Sequence, residues 1–192
     1  MNLSSRDPRL QKAVSNVGLI TSNGSFGHNI MACEWTNIFS FEPAMISLGI
    51  RPHKATAQNI HETKAFGVNI CAQDQNLISS VAGNYTGKEI DKIALLKSLG
   101  YSFYQAESAN LLMVQGASLN AECELVKTVD LGDHPLLIGK IKVITASEKQ
   151  PLVYFQGRYH KIGDEIPKPS REYRNKIKQL AQEFNKDPKD TN

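Results

Sequence analysis

Residues 47–70, SLGIRPHKATAQNIHETKAFGVNI, decide how this chain is read. The apolar run over residues 44–50 has the aliphatic and β-branched weight of a buried strand. A short turn bearing Arg51, His53, Lys54 and Thr56 follows. Helical spacing over residues 53–64 then turns Ala55, Ala57 and Ile60 inward, and residues 65–70 return as a second strand. A strand that passes into a helix through a cationic, hydroxyl-bearing turn outlines an anion pocket. The first helical N–H groups lack partners, the helix dipole favours negative charge there, and the side chains add fixed charge. A phosphate-bearing small molecule fits such a turn; the competing reading is an ordinary strand-to-helix corner with solvated charges.

Working outward, 192 residues suit one domain with a short appendage. An apolar content of 41% is ample for a core, and 21% charged residues is ordinary for a folded chain. No apolar run is long enough to span a bilayer. The segment MNLSSRDPRLQ lacks the apolar centre of a secretory signal, so a cytoplasmic protein is expected. Three widely spaced cysteines (Cys33, Cys71, Cys123), with no Cys-x-x-Cys or Cys-x-x-His pair, argue against a zinc site or a disulfide framework and predict no metal. Of the +3 net charge, the whole surplus lies beyond residue 167, where seven Lys/Arg meet four Asp/Glu. The main domain is therefore neutral, which argues against a nucleic-acid binder.

Residues 14–22 read as a strand, and Asn23-Gly24-Ser25 as the turn of a hairpin. The chain returns to Phe41 and turns at Glu42-Pro43. Helical spacing recurs over residues 74–83 and 89–99. Strands are predicted over residues 111–115, 119–129 and 135–147, with a final hairpin over 152–162. Leu119, Ala121, Cys123 and Leu125 alternate with Asn120, Glu122 and Glu124, the pattern of a half-buried strand. Many strands with few helices predict a mainly β, barrel-like core with α insertions rather than a doubly wound sheet. Residues 1–167 form that domain, and residues 168–192 a basic tail. In the tail, Tyr173, Ile177, Leu180, Ala181 and Phe184 make one stripe of an amphipathic helix capped by Ser170, expected to pack on its own domain or on a partner subunit.

Several fragments occur in an order that carries a resemblance: Asn29-Ile30-Met31-Ala32-Cys33-Glu34-Trp35, Phe39-Ser40-Phe41-Glu42-Pro43, Ser47-Leu48-Gly49-Ile50-Arg51, His53-Lys54-Ala55-Thr56, Phe66-Gly67-Val68-Asn69-Ile70, Thr86-Gly87-Lys88 with Asp91-Lys92, and Gly132-Asp133-His134. Over roughly residues 10 to 160 the chain resembles the flavin reductase-like proteins with the FMN-binding split β-barrel, in particular the flavoredoxin-like branch. The resemblance implies a homodimer that binds FMN, with FAD as the alternative form, and takes electrons from NAD(P)H. It implies that Met31, Ala32, Cys33, Glu34, Trp35 and Thr36 run beside the isoalloxazine ring. Ser47, Arg51, Lys54 and Thr56 would hold the phosphate, following Ile50 and with Asn59 nearby, and Pro52 beside His53 makes His53 a further ligand. Thr86 and Lys88 would close over the cofactor, and His134, the one candidate catalytic residue, would approach the flavin or the nicotinamide. The flavin carries the hydride, so the protein needs no nucleophile of its own. No Gly-x-Gly-x-x-Gly segment is present, so no Rossmann domain is expected. The function implied is an NAD(P)H-dependent flavin reductase with a possible electron-acceptor protein as partner. An FMN-bound electron carrier and a non-catalytic flavin-binding protein are the alternatives.

Overall fold

In a computed structural model, which describes residues 7–185, a 3-10 turn at Leu10–Lys12 leads into β1 (Ser15–Asn16), β2 (Gly18–Ser22), β3 (Asn29–Cys33), β4 (Thr36–Phe41) and β5 (Ala44–Gly49). Then come α1 (Ala55–Thr63), β6 (Ala65–Ile70), α2 (Asn76–Asn84), α3 (Lys92–Ser98), β7 (Phe103–Gln105), β8 (Leu112–Val114), β9 (Leu119–Val129) and β10 (Leu136–Ala146). β11 (Val153–Phe155), β12 (Arg158–His160) and α4 (Arg171–Glu183) complete the chain. One compact unit runs to Ile162, and a second begins at Gly163. Among the described residues no helix is long and apolar enough to cross a membrane.

Seven antiparallel strands form the main sheet in the order β3-β2-β6-β9-β10-β5-β4. Its two edge strands are consecutive in the chain, joined only by Glu34 and Trp35. In a flat sheet those edges would lie about 29 Å apart, six strand spacings of ~4.8 Å. The three residue steps from Cys33 to Thr36 span at most about 11 Å. The sheet therefore curls until its edges converge at the 33–36 link, while β4 stays unpaired along its outer side, giving the barrel core that the sequence predicts. At the seam, Asn16 Nδ2 donates to Thr36 O at 2.7 Å and Thr36 Oγ1 to Cys33 O at 3.1 Å. A Cβ on Gly18 would run into the Thr36 hydroxyl, so the glycine permits the close approach.

Period-two alternation sorts the apolar side chains to two faces. Ile20, Ile46, Leu48, Phe66, Val68, Ala121, Cys123 and Leu137 fill the barrel, with Ala57 and Ile60 of α1 packed against them. Leu19 and Ile30 point outward under Ile78, Val81 and Ala82 of α2 and Ile93 and Leu96 of α3. Ala55, Ala57 and Ile60, the inward residues expected of α1, are buried, together with Thr56 and Asn59.

Four details differ from the sequence reading. The predicted strand over residues 14–22 is two strands in two sheets: β1 pairs with β11, itself paired with β12, while β2 joins the barrel. The hairpin loop after Ser22 extends beyond Asn23-Gly24-Ser25, because Gly27 at φ 62° donates back to Gly24 O at 2.8 Å. β7 has too little apolar periodicity to be read, yet it pairs with β8. Finally, Asn120 and Glu122 are buried rather than solvated. Asn120 Nδ2 donates to Asn69 Oδ1 at 2.7 Å and to Val114 O at 3.0 Å. The Glu122 carboxylate accepts from the backbone N–H of Glu107 and of Ser108 at 2.9 and 2.6 Å. The polar face of β9 anchors β8 and the turn after β7 through bonds made in a dry setting.

The second unit carries one helix, α4. Ser170 Oγ accepts from Tyr173 N at 3.2 Å, the N-cap expected of it. Tyr173, Ile177, Leu180 and Phe184 are all exposed, and no residue of α4 is buried.

Candidate functional site

A cavity of about 700 Å³ opens where the ends of β3 and β5, the start of α1, the end of α2 and the 133–134 turn converge. Its construction follows from the turn at residue 51. Lys54 N donates to Arg51 O at 3.1 Å, closing a β-turn with Pro52 in the position where its fixed φ is favourable. Lys54 is the N-cap of α1 and provides no side-chain cap, so the first N–H groups of the helix, at Ala55 and Thr56 in the cavity wall, remain open.

Opposite them stands Lys92, 2% exposed. The Asp91 side chain caps α3 by accepting from Ala94 N at 2.9 Å, which places Lys92 on the first turn beneath the end of α2. Its ammonium donates to Ala82 O and Tyr85 O, both at 3.2 Å, and an ammonium has a third N–H to offer. Burial, and then the positive charge of Lys54, push the Lys92 pKa down to about 8. Two ammonium groups and a helix N-terminus thus face one space, and among the described residues neither ammonium is ion-paired with a carboxylate, a frustrated arrangement that an anion relieves.

Beside this cationic end, Asn29 Nδ2 donates to Thr56 Oγ1 at 2.8 Å. Asn29 Oδ1 is buried with no partner among the described residues, against Gly87, where a Cβ would collide with it. Asn29 lines the cavity, and its unpaired acceptor lies just beneath that wall, where a donor such as a ligand hydroxyl would satisfy it. The other end is aromatic. The Trp35 indole, about half exposed (52%), lies over Gly49, where a Cβ would sit 2.9 Å from the ring. The indole meets the His134 imidazole edge-on, ring centres 4.6 Å apart at 64°. His134 Nδ1 is 2.8 Å from Asp133 Oδ1, and the other carboxylate oxygen accepts from Arg51 Nη2 at 3.0 Å. The His134 hydrogen bond, then the Arg51 contacts, outweigh burial and hold the Asp133 carboxyl below its usual range.

The structure brings Met31, Ala32, Cys33, Glu34, Trp35, Ile50, Arg51, Lys54, Thr56, Thr86 and His134 to this one cavity. Five expected residues lie elsewhere. Thr36 is tied into the barrel seam, and Ser47 Oγ donates to Asn37 O at 3.3 Å between β5 and β4. Asn59 is spent on the 22–27 loop, donating to Ser22 Oγ and Gly27 O and accepting from Phe26 N. His53 is exposed outside the cavity wall. Lys88 faces a neighbouring cavity, its Nζ 5.3 Å from the centre of the Phe26 ring. Arg51 lines the cavity but is paired to Asp133, so the fixed cations at the helix mouth are Lys54 and Lys92. The sequence reading missed Lys92, although a signal existed: Lys92 and Leu96 share a helical face, and a lysine on an apolar stripe is unusual. Cys33 is buried, its thiol pushed up by desolvation and bonded at 3.6 Å to Trp35 O and Gly49 O, which makes it a packing residue rather than a reactive one. Among the described residues no group of three or more His, Cys, Asp or Glu is arranged to hold a metal ion.

Comparison with known proteins adds independent findings. Residues 10–163 match the flavin reductase like domain. The chain is 28% identical over 120 residues to the reductase component of the flavin-dependent trigonelline monooxygenase of Acinetobacter baylyi, covering 62% of this chain and 36% of that protein. It is 24% identical over 136 residues to an NADH-dependent flavin reductase of Rhodococcus sp, covering 70% of each. Among solved structures, the flavin reductase PheA2 superposes with a TM-score of 0.71 at 25% identity, over 84% of this chain and all of that one.

Proposed function

The chain belongs to the flavin reductase like domain family, and from that premise we propose that it is an NAD(P)H-dependent flavin reductase that binds FMN, or the same group within FAD, in the cavity described above. The observation that carries this reading is the unneutralised Lys54–Lys92 pair at the open start of α1, at one end of a cavity whose other end is walled by Trp35 and His134. A phosphate at the cationic end would take hydrogen bonds from Lys54, Lys92 and the first N–H groups of α1, with the Thr56 hydroxyl beside them. A ribityl hydroxyl would satisfy Asn29 Oδ1. The ring would lie along β3 toward Trp35.

When bound, the flavin would supply the two-electron chemistry. The protein's residues bind, orient and shield. Trp35 and the backbone of β3 present a flat apolar wall. Asp133, braced by Arg51, holds His134 Nδ1 and so aims the opposite ring nitrogen, Nε2, as a polar contact at the ring end of the site. The nicotinamide donor shares the cleft with the flavin, a reading supported by the NADH-dependent Rhodococcus relative. Passage of reduced flavin to a partner oxygenase is supported by the relative that is itself a monooxygenase component. A cytoplasmic setting agrees with three buried free thiols.

A homodimer completes the proposal. β4 is a sheet edge, and its Ile38, Phe39 and Phe41 are exposed, Phe41 by 91%. An apolar, unpaired edge is a surface that native proteins cover. The test of function is direct. Purified protein mixed with FMN is expected to oxidise NADH or NADPH over many turnovers. Flavin bound with no nicotinamide oxidation would instead make the protein an electron carrier.

A further inference from the structure

Past residue 163, where the family domain ends, the chain forms α4, and the four large apolar side chains of its stripe are exposed. We propose that α4 pairs antiparallel with α4 of a second copy of this chain, as a two-helix clasp that fastens the dimer. The clasp rests on the homodimer proposed above and is independent of the flavin reading.

Spacing points to a helix as the partner. Tyr173, Ile177, Leu180 and Phe184 follow one another at steps of four, three and four residues, the d-a-d-a order of a heptad repeat. Ala181 alone widens that seam, and Arg174 and Lys176 border it on either side. A helix that packs on a domain surface or lies in a lipid interface presents a broader apolar stripe, whereas a strict a/d seam suits another helix. The seam runs the whole length of α4, from Tyr173 in its first turn, 66% exposed, to Phe184 at its C-cap, 79% exposed.

Charge selects a second copy, and its direction. Lys176 and Glu183 hold the two g positions beside the seam; both are exposed, and among the described residues neither is ion-paired. In a parallel pair a g residue faces an e residue, so Lys176 would meet Ala181 and Arg174 would meet Pro169, with no charges matched. In an antiparallel pair g faces g. Lys176 then meets Glu183 of the second copy, and the two-fold axis repeats the contact. The same arrangement packs Tyr173 on Phe184 of the second copy and Ile177 on Leu180 of the second copy, so aromatic layers close both ends of an aliphatic centre. An anionic lipid surface would instead meet Glu183 at the margin of the seam and be repelled by it.

Two heptads are too short to pair from dilute solution. A dimer of the larger units holds two α4 helices at an effective concentration on the order of millimolar, which is enough for a short seam to close. The antiparallel pair sets the two helix starts about 20 Å apart, and the seven residues 163–169, with prolines at 167 and 169, each reach up to about 25 Å.

Full-length protein tests the clasp by sedimentation equilibrium and by cross-linking. Lys176→Glu and Glu183→Lys are each expected to raise the dimer dissociation constant roughly threefold to tenfold, and the double exchange to restore it. Leu180→Asp is expected to raise it roughly tenfold or more. FMN affinity is expected to be unchanged throughout, which also shows the variants to be folded. A short bismaleimide is expected to link the Tyr173→Cys/Phe184→Cys double variant into dimers and to leave each single variant unlinked, because like positions lie about 16 Å apart in the antiparallel pair; the three native thiols are buried. Efficient linking of the single variants would mean a parallel pair and overturn the proposal. A stable dimer with no linking, unmoved by the charge exchanges, would overturn the clasp and leave the dimer standing. Co-sedimentation with phosphatidylglycerol vesicles that Leu180→Asp abolishes, again without linking, would give the seam to a lipid surface and overturn it as well. A wild type that is monomeric at every concentration would overturn the dimer and the clasp together.

Discussion

Replacing Lys92 by methionine is expected to weaken FMN binding roughly 10- to 100-fold, the value of a charge-assisted hydrogen bond of about 1.5–3 kcal/mol. The apoprotein should not lose stability in the exchange. Lys92 is almost wholly buried, and a pKa pushed down to about 8 represents about 3 kcal/mol against its charged form. Methionine keeps the length of the side chain and removes that penalty, while the carbonyls of Ala82 and Tyr85 lose a partner. Calorimetry with FMN and thermal melts of the apoprotein separate the two effects. A variant with unchanged affinity would remove Lys92 from the site.

The same lysine predicts opposite pH trends for folding and binding. Unfolded Lys92 titrates near 10.5 and folded Lys92 near 8. Between those values the unfolded chain holds the extra proton, so this group makes the apoprotein more stable as pH rises from about 8 to 10.5, and that gain is lost as pH falls back from 10.5 to about 8. A phosphate needs the ammonium. Above pH 8 binding must take up a proton, and FMN affinity falls. Lys92→Arg, which stays charged throughout, is expected to flatten that fall.

The largest effect on stability is expected at Phe66. Its ring is fully buried inside the barrel, and Gly139 on β10 leaves room for it, since a Cβ there would strike the ring. Phe66→Ala should cost about 3–5 kcal/mol and lower Tm by about 6–20 °C for a chain of this size. Gly139→Ala alone should destabilise by overpacking, about 1–3 kcal/mol. In the Phe66→Ala background the added methyl enters a vacated space and should recover stability. The double-mutant cycle reads this coupling as a non-additive term. Additive losses would show that the two positions do not share one packing site.

Much of this architecture could be read along the chain because the relevant signals are local. β5, α1 and β6 are each bounded by a change of hydrophobic period, and β6 falls at the expected residues 65–70. β9 declares its inner face through Leu119, Ala121, Cys123 and Leu125. Its other face misleads, because Asn120 and Glu122 look solvated until β8 and the turn after β7 fold over them, and nothing local announces that cover. The site divides in the same way. The turn at Arg51 and the start of α1 can be read from neighbours in sequence. Two facts that set its charge cannot. Arg51 is diverted to Asp133, 82 residues away, and Lys92 arrives through the packing of α3 against α2. Asn59 has the right spacing to be a ligand but is claimed by the 22–27 loop, a competition visible only in three dimensions.

The claim beneath all of this is that Lys54, Lys92 and the start of α1 grip a phosphate monoester. FMN and riboflavin differ by that group alone, so titrating both into apoprotein at pH 7 isolates it. Two charge-assisted contacts predict that FMN binds about 10²-fold or more tightly than riboflavin. Equal affinities would contradict the account.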